Sequence, residues 1–307
     1  MKMIPFSWPT NIIIIDDDAG ILEILEPMIE QNHNRLHFFT SPQKALKFIV
    51  DHSQLDIPDS IAEYQEYDFS IRELKIDLKK SFKLAENKDK YNLISAIICD
   101  YDMPYISGVD LFKQASEFCN ARKILLTGRL DPREAIDLKG NLIDDYLEKD
   151  YKENFALKLN QKLKDQIKHY FTGLFPSLNS LIKYDPDFYF VGNPLIKEYF
   201  YQVCKENNVT ECYLIDYTGI YYLINDKKEN FIFFVQNNDQ LEVMIDEYKD
   251  RISDTKLIKK LHSKAYQVVK LENEKIIYPN YNELEKHLYS VSKVIGEQYY
   301  ISFIKIN

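Results

Sequence analysis

The sequence predicts two folded parts: a doubly wound α/β domain with a five-stranded parallel sheet over residues 1–152, and an α+β domain over residues 176–307. Two observations predict the first part. Short apolar runs alternate with amphipathic stretches, and polar side chains stand where the apolar runs end. The 307 residues suffice for two domains that each bury a core.

The predicted strands of the first part are short and strongly apolar. Ile12 to Ile15 is an unbroken β-branched run, as expected for a strand that is buried on both faces. The remaining strands are expected at residues 36–39, 96–99, 123–126 and 145–147, and the helices at residues 20–31, 42–50, 109–118 and 132–138. This order is typical of a parallel sheet covered by helices.

Charged and hydroxyl side chains follow the predicted strands. They are Asp16, Asp17 and Asp18 after the first strand, Asp100 after the third, Thr127 after the fourth and Lys149 after the fifth. The carboxyl ends of parallel strands form one edge of a sheet, so these side chains are expected to meet there. Clustered carboxylates suit a hard divalent cation, and Mg²⁺ is the one expected. Lys149 and Thr127 can hold the oxygens of a phosphoryl group.

Four segments resemble the receiver domain of two-component response regulators, a flavodoxin-like fold similar to that of chemotaxis regulators. They are IIIIDDD (12–18), CDYDMPYISG (99–108), LLTG (125–128) and YLEK (146–149). The matching features stand in the family's order, each at a strand end. The first part is therefore expected to be a receiver domain.

The resemblance implies a role for each matching position. Asp100 is then the phosphoacceptor, and Asp16, Asp17 and the backbone carbonyl of Asp102 join it in binding Mg²⁺. Thr127 is the switch hydroxyl, Lys149 pairs with the phosphoryl group, and Tyr146 turns inward when Thr127 moves. Gly108 fits the turn after the acceptor strand, and Gly128 keeps the position after Thr127 small.

Two features depart from the family pattern. Asp150 stands where the family usually has a proline after the lysine, often with a cis peptide, so the loop after the fifth strand is expected to be rebuilt. Residues 51–92 form an insertion before the third strand. A capping box at Ser70 to Glu73 and an apolar stripe predict a helix over 70–84, packed on the receiver's side. That helix is either an added surface element or a docking surface for a partner or the second domain.

The second half begins with an amphipathic stretch, Glu153 to Phe171, which predicts a linker helix over 153–175. Such a helix acts as a spacer or pairs with its copy in a homodimer. A hairpin is expected over Glu211 to Ile224, with further strands at 231–235 and 300–306. Helices are expected at 195–207, 240–261 and 282–295.

Charge and cysteine content limit the function classes. The net charge of −9 lies wholly in residues 1–150, and residues 151–307 carry 21 basic and 21 acidic side chains. No basic patch or helix-turn-helix is visible, so nucleic-acid binding is not expected. The four cysteines form no metal-ligand spacing, and no apolar run reaches the roughly 20 residues of a membrane span. A cytoplasmic protein that is not inserted in a membrane is expected.

The sequence therefore predicts a phosphoprotein of a phosphorelay. A sensor histidine kinase or a phosphotransfer protein would transfer the phosphoryl group to Asp100, and a non-DNA-binding signalling domain would respond. The chain itself would not be an enzyme beyond slow self-dephosphorylation. Two alternatives stay open for the second domain: an atypical DNA-binding transcriptional regulator, and an enzyme acting on a nucleotide messenger.

Overall fold

The computed structural model describes residues 3–52, 61–68, 71–128, 138, 140, 142–176, 178–179, 182, 189–216, 219–249, 255–272, 275–277 and 279–306. The predicted helix at 132–138 and the Ser70 end of the predicted capping box lie outside these residues, apart from Leu138.

The strands of the described chain number from the N-terminus. They are β1 (Phe6–Ser7), β2 (Asn11–Ile15), β3 (Arg35–Phe39), β4 (Ala62–Asp68), β5 (Ile71–Ile76), β6 (Ile94–Asp100), β7 (Arg122–Thr127), β8 (Asp145–Glu148), β9 (Val209–Asp216), β10 (Ile220–Asn225), β11 (Asn230–Asn237), β12 (Tyr266–Val268), β13 (Lys270–Glu272), β14 (Lys275–Ile277), β15 (Leu288–Ser290), β16 (Lys293–Ile295) and β17 (Tyr299–Ile306).

The helices number in the same way. They are α1 (Ala19–Leu25), α2 (Pro42–Asp51), α3 (Leu78–Glu86), α4 (Gly108–Ala115), α5 (Phe155–Leu174), α6 (Tyr189–Gly192), α7 (Pro194–Glu206), α8 (Asn238–Lys249) and α9 (Thr255–His262), with 3₁₀ turns at Glu26–Met28, Lys88–Asn92 and Tyr281–His287. None of these described helices combines the length and the apolar character that a membrane span requires.

The chain divides into two compact units. The parallel-sheet unit comprises Trp8–Ile57 and Asn87–Leu174, and the antiparallel-sheet unit comprises Met1–Ser7, Pro58–Glu86 and Phe175–Asn307. The first seven residues and most of the insertion thus group with the C-terminal part, although the sequence assigns them to the first domain.

The parallel-sheet unit has five parallel strands in the order β3-β2-β6-β7-β8. Both faces of the sheet are buried. One apolar cluster includes Ala45 of α2 and Phe112 of α4, and the other includes Leu22 of α1 and Leu159 of α5. The predicted doubly wound, flavodoxin-like α/β fold is confirmed.

The first helix is shorter than predicted. Asp18 caps it by accepting a hydrogen bond from the Gly20 amide, and the α-helix ends at Leu25 rather than Gln31. Pro27 lies in the 3₁₀ turn that follows. Since proline has no amide hydrogen and clashes with the preceding helical turn, it explains the early end.

The insertion differs from its prediction. Residues 71–76 form β5, which pairs antiparallel with β4, and the helix α3 begins only at Leu78. The prediction placed this helix on the side of the receiver, but α3 groups with the antiparallel-sheet unit. It packs against β9, and the ring centres of Phe82 and Tyr222 are 5.1 Å apart. The insertion therefore forms part of the antiparallel-sheet unit.

The antiparallel-sheet unit is built on six strands in the order β1-β9-β10-β11-β17-β16. The predicted hairpin is present as β9 and β10, and the predicted strands at 231–235 and 300–306 are β11 and β17. β1 comes from the N-terminus, where Phe6 is opposite Tyr213 of β9. The predicted α+β class of the C-terminal domain is confirmed.

Two predicted helices of this unit need correction. Residues 240–261 form two helices, α8 and α9, rather than one. Residues 282–295 form a 3₁₀ turn followed by β15 and β16, which pair with β12 and β17. Strand pairing therefore overrides the helical spacing of the apolar residues in that segment.

Candidate functional site

The carboxyl edge of the parallel sheet carries the predicted site. Asp16 follows β2, Asp100 ends β6, Thr127 ends β7, and Lys149 follows β8. Every residue from Ile94 to Asp100 is buried, which fixes the end of that strand in the core. The structure thus brings side chains that are 133 residues apart in sequence into contact.

Lys149 joins two of the carboxylates. Its Nζ lies 2.6 Å from Oδ2 of Asp16 and 2.8 Å from Oδ1 of Asp100. The side chain of Lys149 is 14% exposed, and those of Asp16 and Asp100 are 2% and 10% exposed. The backbone amide of Lys149 also donates to the carbonyl of Thr127, over 2.8 Å, and so fixes the start of the lysine side chain.

Burial and hydrogen bonding act in opposite directions on this pair. Burial raises the pKa of Asp16, and the hydrogen bonds from Lys149 and from the Asp18 amide partly offset that rise. For Lys149, burial lowers the pKa, but hydrogen bonds to Asp100 and Asp16 outweigh it and the pKa is raised. Lys149 therefore stays charged at neutral pH and neutralises part of the acidic cluster.

Asp17 completes a group of three carboxylates. One oxygen each from Asp16, Asp17 and Asp100 lies within 4.8 Å of the others. Three carboxylates share one neighbouring cation, Lys149, so acidic groups are in excess at this edge. A divalent cation with oxygen ligands matches both the charge and the donor type. The residues therefore fit Mg²⁺.

The other predicted site residues lie at or near this edge. Asp102 is exposed, two residues beyond Asp100, and Thr127 is buried. Tyr146 is half-buried and packs against the core that α2 and α4 cover. In the sheet it is opposite Leu125, and the Nζ of Lys162 lies 5.9 Å from its ring centre.

The loop after β8 begins with a trans peptide and contains a residue in the left-handed region. The Lys149–Asp150 peptide is trans, and the Asp150 amide donates to the carbonyl of Glu148. Tyr151 then has a φ of 39°, in the left-handed region. Sequence reasoning expected a rebuilt loop here but did not single out Tyr151, because an aromatic residue beside a helix is usually only a packing residue.

Gly108 allows the start of α4 to approach the end of β6 closely. Its amide donates to the carbonyl of Tyr101, and a Cβ at this position would lie 2.1 Å from the backbone oxygen of Asp100. Any side chain would therefore push α4 away from the strand that carries Asp100. By contrast, a Cβ on Gly128 would have no described atom within 4 Å.

We expect Gly108→Ala to lower the free energy of unfolding by about 1–3 kcal/mol, since the clash is with backbone that has to move. Unfolding can be followed in urea by the fluorescence of Trp8, the single tryptophan of the chain, which is buried in the parallel-sheet unit. Gly128→Ala is the matched control and should change stability by less than the Gly108 variant. Equal effects of the two substitutions would contradict the steric argument.

No protein-family model matches this chain. No curated protein matches it either. Among solved structures, the response regulator LqsR of Legionella pneumophila matches with a TM-score of 0.76 and 20% identity, over 99% of this chain and 90% of that chain. A response regulator receiver domain protein from Clostridium thermocellum covers 52% of this chain and 95% of its own, with 20% identity and a TM-score of 0.34.

Fold and site together define a flavodoxin-like α/β unit with an acidic cluster and a lysine at the carboxyl edge of its parallel sheet. The likeness to LqsR extends over both units, so the whole chain has the fold of that response regulator. At 20% identity, the likeness concerns the fold alone.

Proposed function

We propose that the chain is a response regulator that accepts a phosphoryl group on Asp100 and changes the state of its antiparallel-sheet unit. The observation that carries this proposal is the contact of Lys149 with both Asp100 and Asp16 at the carboxyl edge of the sheet. Ion pairs that only stabilise a fold need no third carboxylate beside them, yet Asp17 lies within the same cluster.

Asp100 would act as the nucleophile. A carboxylate oxygen attacks the phosphorus of a phosphohistidine or of a small acyl phosphate, the donor's bond to phosphorus breaks with its electron pair, and an acyl phosphate forms on Asp100. Lys149 stabilises the charge that gathers on the phosphoryl oxygens. Asp16, Asp17, Asp100 and the Asp102 carbonyl would hold Mg²⁺, which neutralises phosphoryl charge when bound.

A sensor histidine kinase or a phosphotransfer protein is the proposed donor, in the cytoplasm. The four cysteines are free thiols, which suits a reducing compartment. Thr127 would then move toward the phosphoryl group and Tyr146 would turn inward. Tyr146 of β8 is opposite Leu125 of β7, two residues before Thr127, so Thr127 and Tyr146 are on the same face of the sheet. Phosphorylation would bias an equilibrium between two existing states.

The proposed output is a protein-level signal rather than DNA binding. Residues 151–307 carry no net charge, whereas a DNA-binding domain concentrates positive charge on one face. The antiparallel-sheet unit presents a six-stranded sheet with short helices and hairpins.

We expect the full-length chain, incubated with Mg²⁺ and acetyl phosphate, to gain one phosphoryl group by intact-mass measurement. Asp100→Asn should gain none, because an amide cannot form the acyl phosphate. Asp110→Asn removes an equally charged but exposed carboxylate from α4, and should be modified like the wild type. A wild type that stays unmodified, or an Asp100→Asn variant that is modified equally, contradicts the proposal.

A further inference from the structure

Tyr151 has no role in the proposed mechanism. It lies two residues after Lys149, in the turn that leads into α5, with its backbone in the left-handed region. Its ring contacts Phe155, with ring centres 4.9 Å apart, and packs on the core that α1 and α5 cover. The fold therefore holds the ring in place although the backbone conformation is unfavourable for a non-glycine residue.

The hydroxyl of Tyr151 is buried and has no hydrogen-bond partner among the described residues. Buried hydroxyls nearly always have a partner, and one that lacks it needs an explanation. Burial raises the pKa of Tyr151, and the charges of Lys149, Asp16 and Asp100 also act on it. The hydroxyl is thus protonated at neutral pH and can donate a hydrogen bond.

We propose that Tyr151 is a positioning residue of the phosphoacceptor site, whose hydroxyl donates a hydrogen bond to a phosphoryl oxygen once Asp100 is modified. This inference rests on the proposed function. It explains why a donor is held in the buried turn next to the lysine without a partner: the partner arrives with the phosphoryl group. Tyr151 would then be a third donor to the phosphoryl oxygens, beside Thr127 and Lys149.

The expected consequence is a longer-lived acyl phosphate. In hydrolysis, a water oxygen bonds to phosphorus, the bond between phosphorus and the Asp100 oxygen breaks, and its electron pair returns to the carboxylate. The protons of the water pass to the released phosphate and to solvent. A hydrogen bond from Tyr151 holds the phosphoryl group in its ground-state position.

The test compares full-length wild type, Tyr151→Phe and Tyr221→Phe. Tyr221 is the matched control, since its hydroxyl is also buried and has no partner among the described residues, but it belongs to the antiparallel-sheet unit. Each chain is phosphorylated with acetyl phosphate and Mg²⁺, separated from the donor, and followed by intact mass. We expect Tyr151→Phe to lose the phosphoryl group about 2- to 10-fold faster, as the loss of one hydrogen bond implies, and Tyr221→Phe to decay like the wild type.

Two further measurements separate positioning from packing. Unmodified Tyr151→Phe should melt at or above the wild-type temperature, since the substitution removes a buried hydroxyl without a partner. Its affinity for beryllofluoride with Mg²⁺, a phosphoryl mimic that does not hydrolyse, should fall about 2- to 10-fold. A lower melting temperature in Tyr151→Phe would assign the effect to packing and overturn the inference.

Unchanged decay and unchanged beryllofluoride affinity in Tyr151→Phe would also overturn the inference. The proposed function would still stand in that case if the wild type is phosphorylated. A wild type that takes up neither a phosphoryl group nor beryllofluoride overturns both. The two failures are thereby distinguishable.

Discussion

Replacing Lys149 with methionine is expected to destabilise the parallel-sheet unit by about 3–5 kcal/mol in buffer without divalent cations, as does the removal of one partner from a buried ion pair. Asp16 and Asp100 would remain at 2% and 10% side-chain exposure without their shared cation. Methionine keeps much of the length of the lysine stem, so the loss reports mainly on charge. Urea unfolding followed by Trp8 fluorescence measures it within the unit concerned.

The same variant should respond to pH and to Mg²⁺ in a characteristic way. Without Lys149 the pKa of Asp16 rises further, because only the hydrogen bond from the Asp18 amide then remains among the contacts that lower it against the effect of burial. A carboxyl whose folded pKa lies above its unfolded one contributes less stability as pH rises, so the deficit should grow as pH increases above about 4, the ordinary aspartate range. Mg²⁺ should restore more stability to Lys149→Met than it adds to wild type, since three carboxylates within 4.8 Å then lack any cation.

Lys162→Met provides the matched control for charge removal. Lys162 contacts Asp145 over 2.8 Å in the same unit, but its side chain is 31% exposed. We expect a loss of about 1 kcal/mol or less, and no extra response to Mg²⁺. If both methionine variants lose the same stability and respond equally to Mg²⁺, the cluster at Asp16 and Asp100 is an ordinary ion pair.

The site could be predicted from sequence because a parallel sheet converts sequence order into position. Each predicted strand ends within one or two residues of its observed end, and Asp16, Asp100, Thr127 and Lys149 therefore had to share an edge. Asp18 shows where this reasoning is incomplete. Its carboxylate also follows β2, but it caps α1 instead of joining the cluster. Sequence spacing alone does not determine whether a carboxylate caps a helix or faces a site.

The insertion could not be predicted in the same way because its apolar spacing fits two structures. Ile71, Leu74 and Leu78 recur at three- and four-residue intervals, which predicts a helix. In the structure, residues 71–76 instead pair with β4, and pairing between segments outweighs a local preference of a few tenths of a kcal/mol per residue. Nothing in the local sequence indicates that α3 packs on β9, which lies more than 120 residues further along the chain.

Shortening the chain to residues 1–174 is therefore expected to give an aggregating product, although it keeps the whole parallel-sheet unit. The product retains residues 1–7 and 58–86 but lacks the strands on which they pack. Phe6, Phe82 and Leu84 are all buried in the complete chain and would become exposed. Exposed apolar surface and the unpaired strand β1 favour association between chains.

The informative comparison is a chain of residues 8–174 in which a flexible linker of about ten Gly and Ser residues replaces residues 58–86. Both products lack residues 175–307, so they differ only in the segments that group with the antiparallel-sheet unit. We expect the second product to elute as a single species on size exclusion, to unfold cooperatively and to bind little of a dye that reports exposed apolar surface. A soluble 1–174 product with equally low dye binding would contradict this division, because it would mean that the insertion folds without the sheet that covers Phe82.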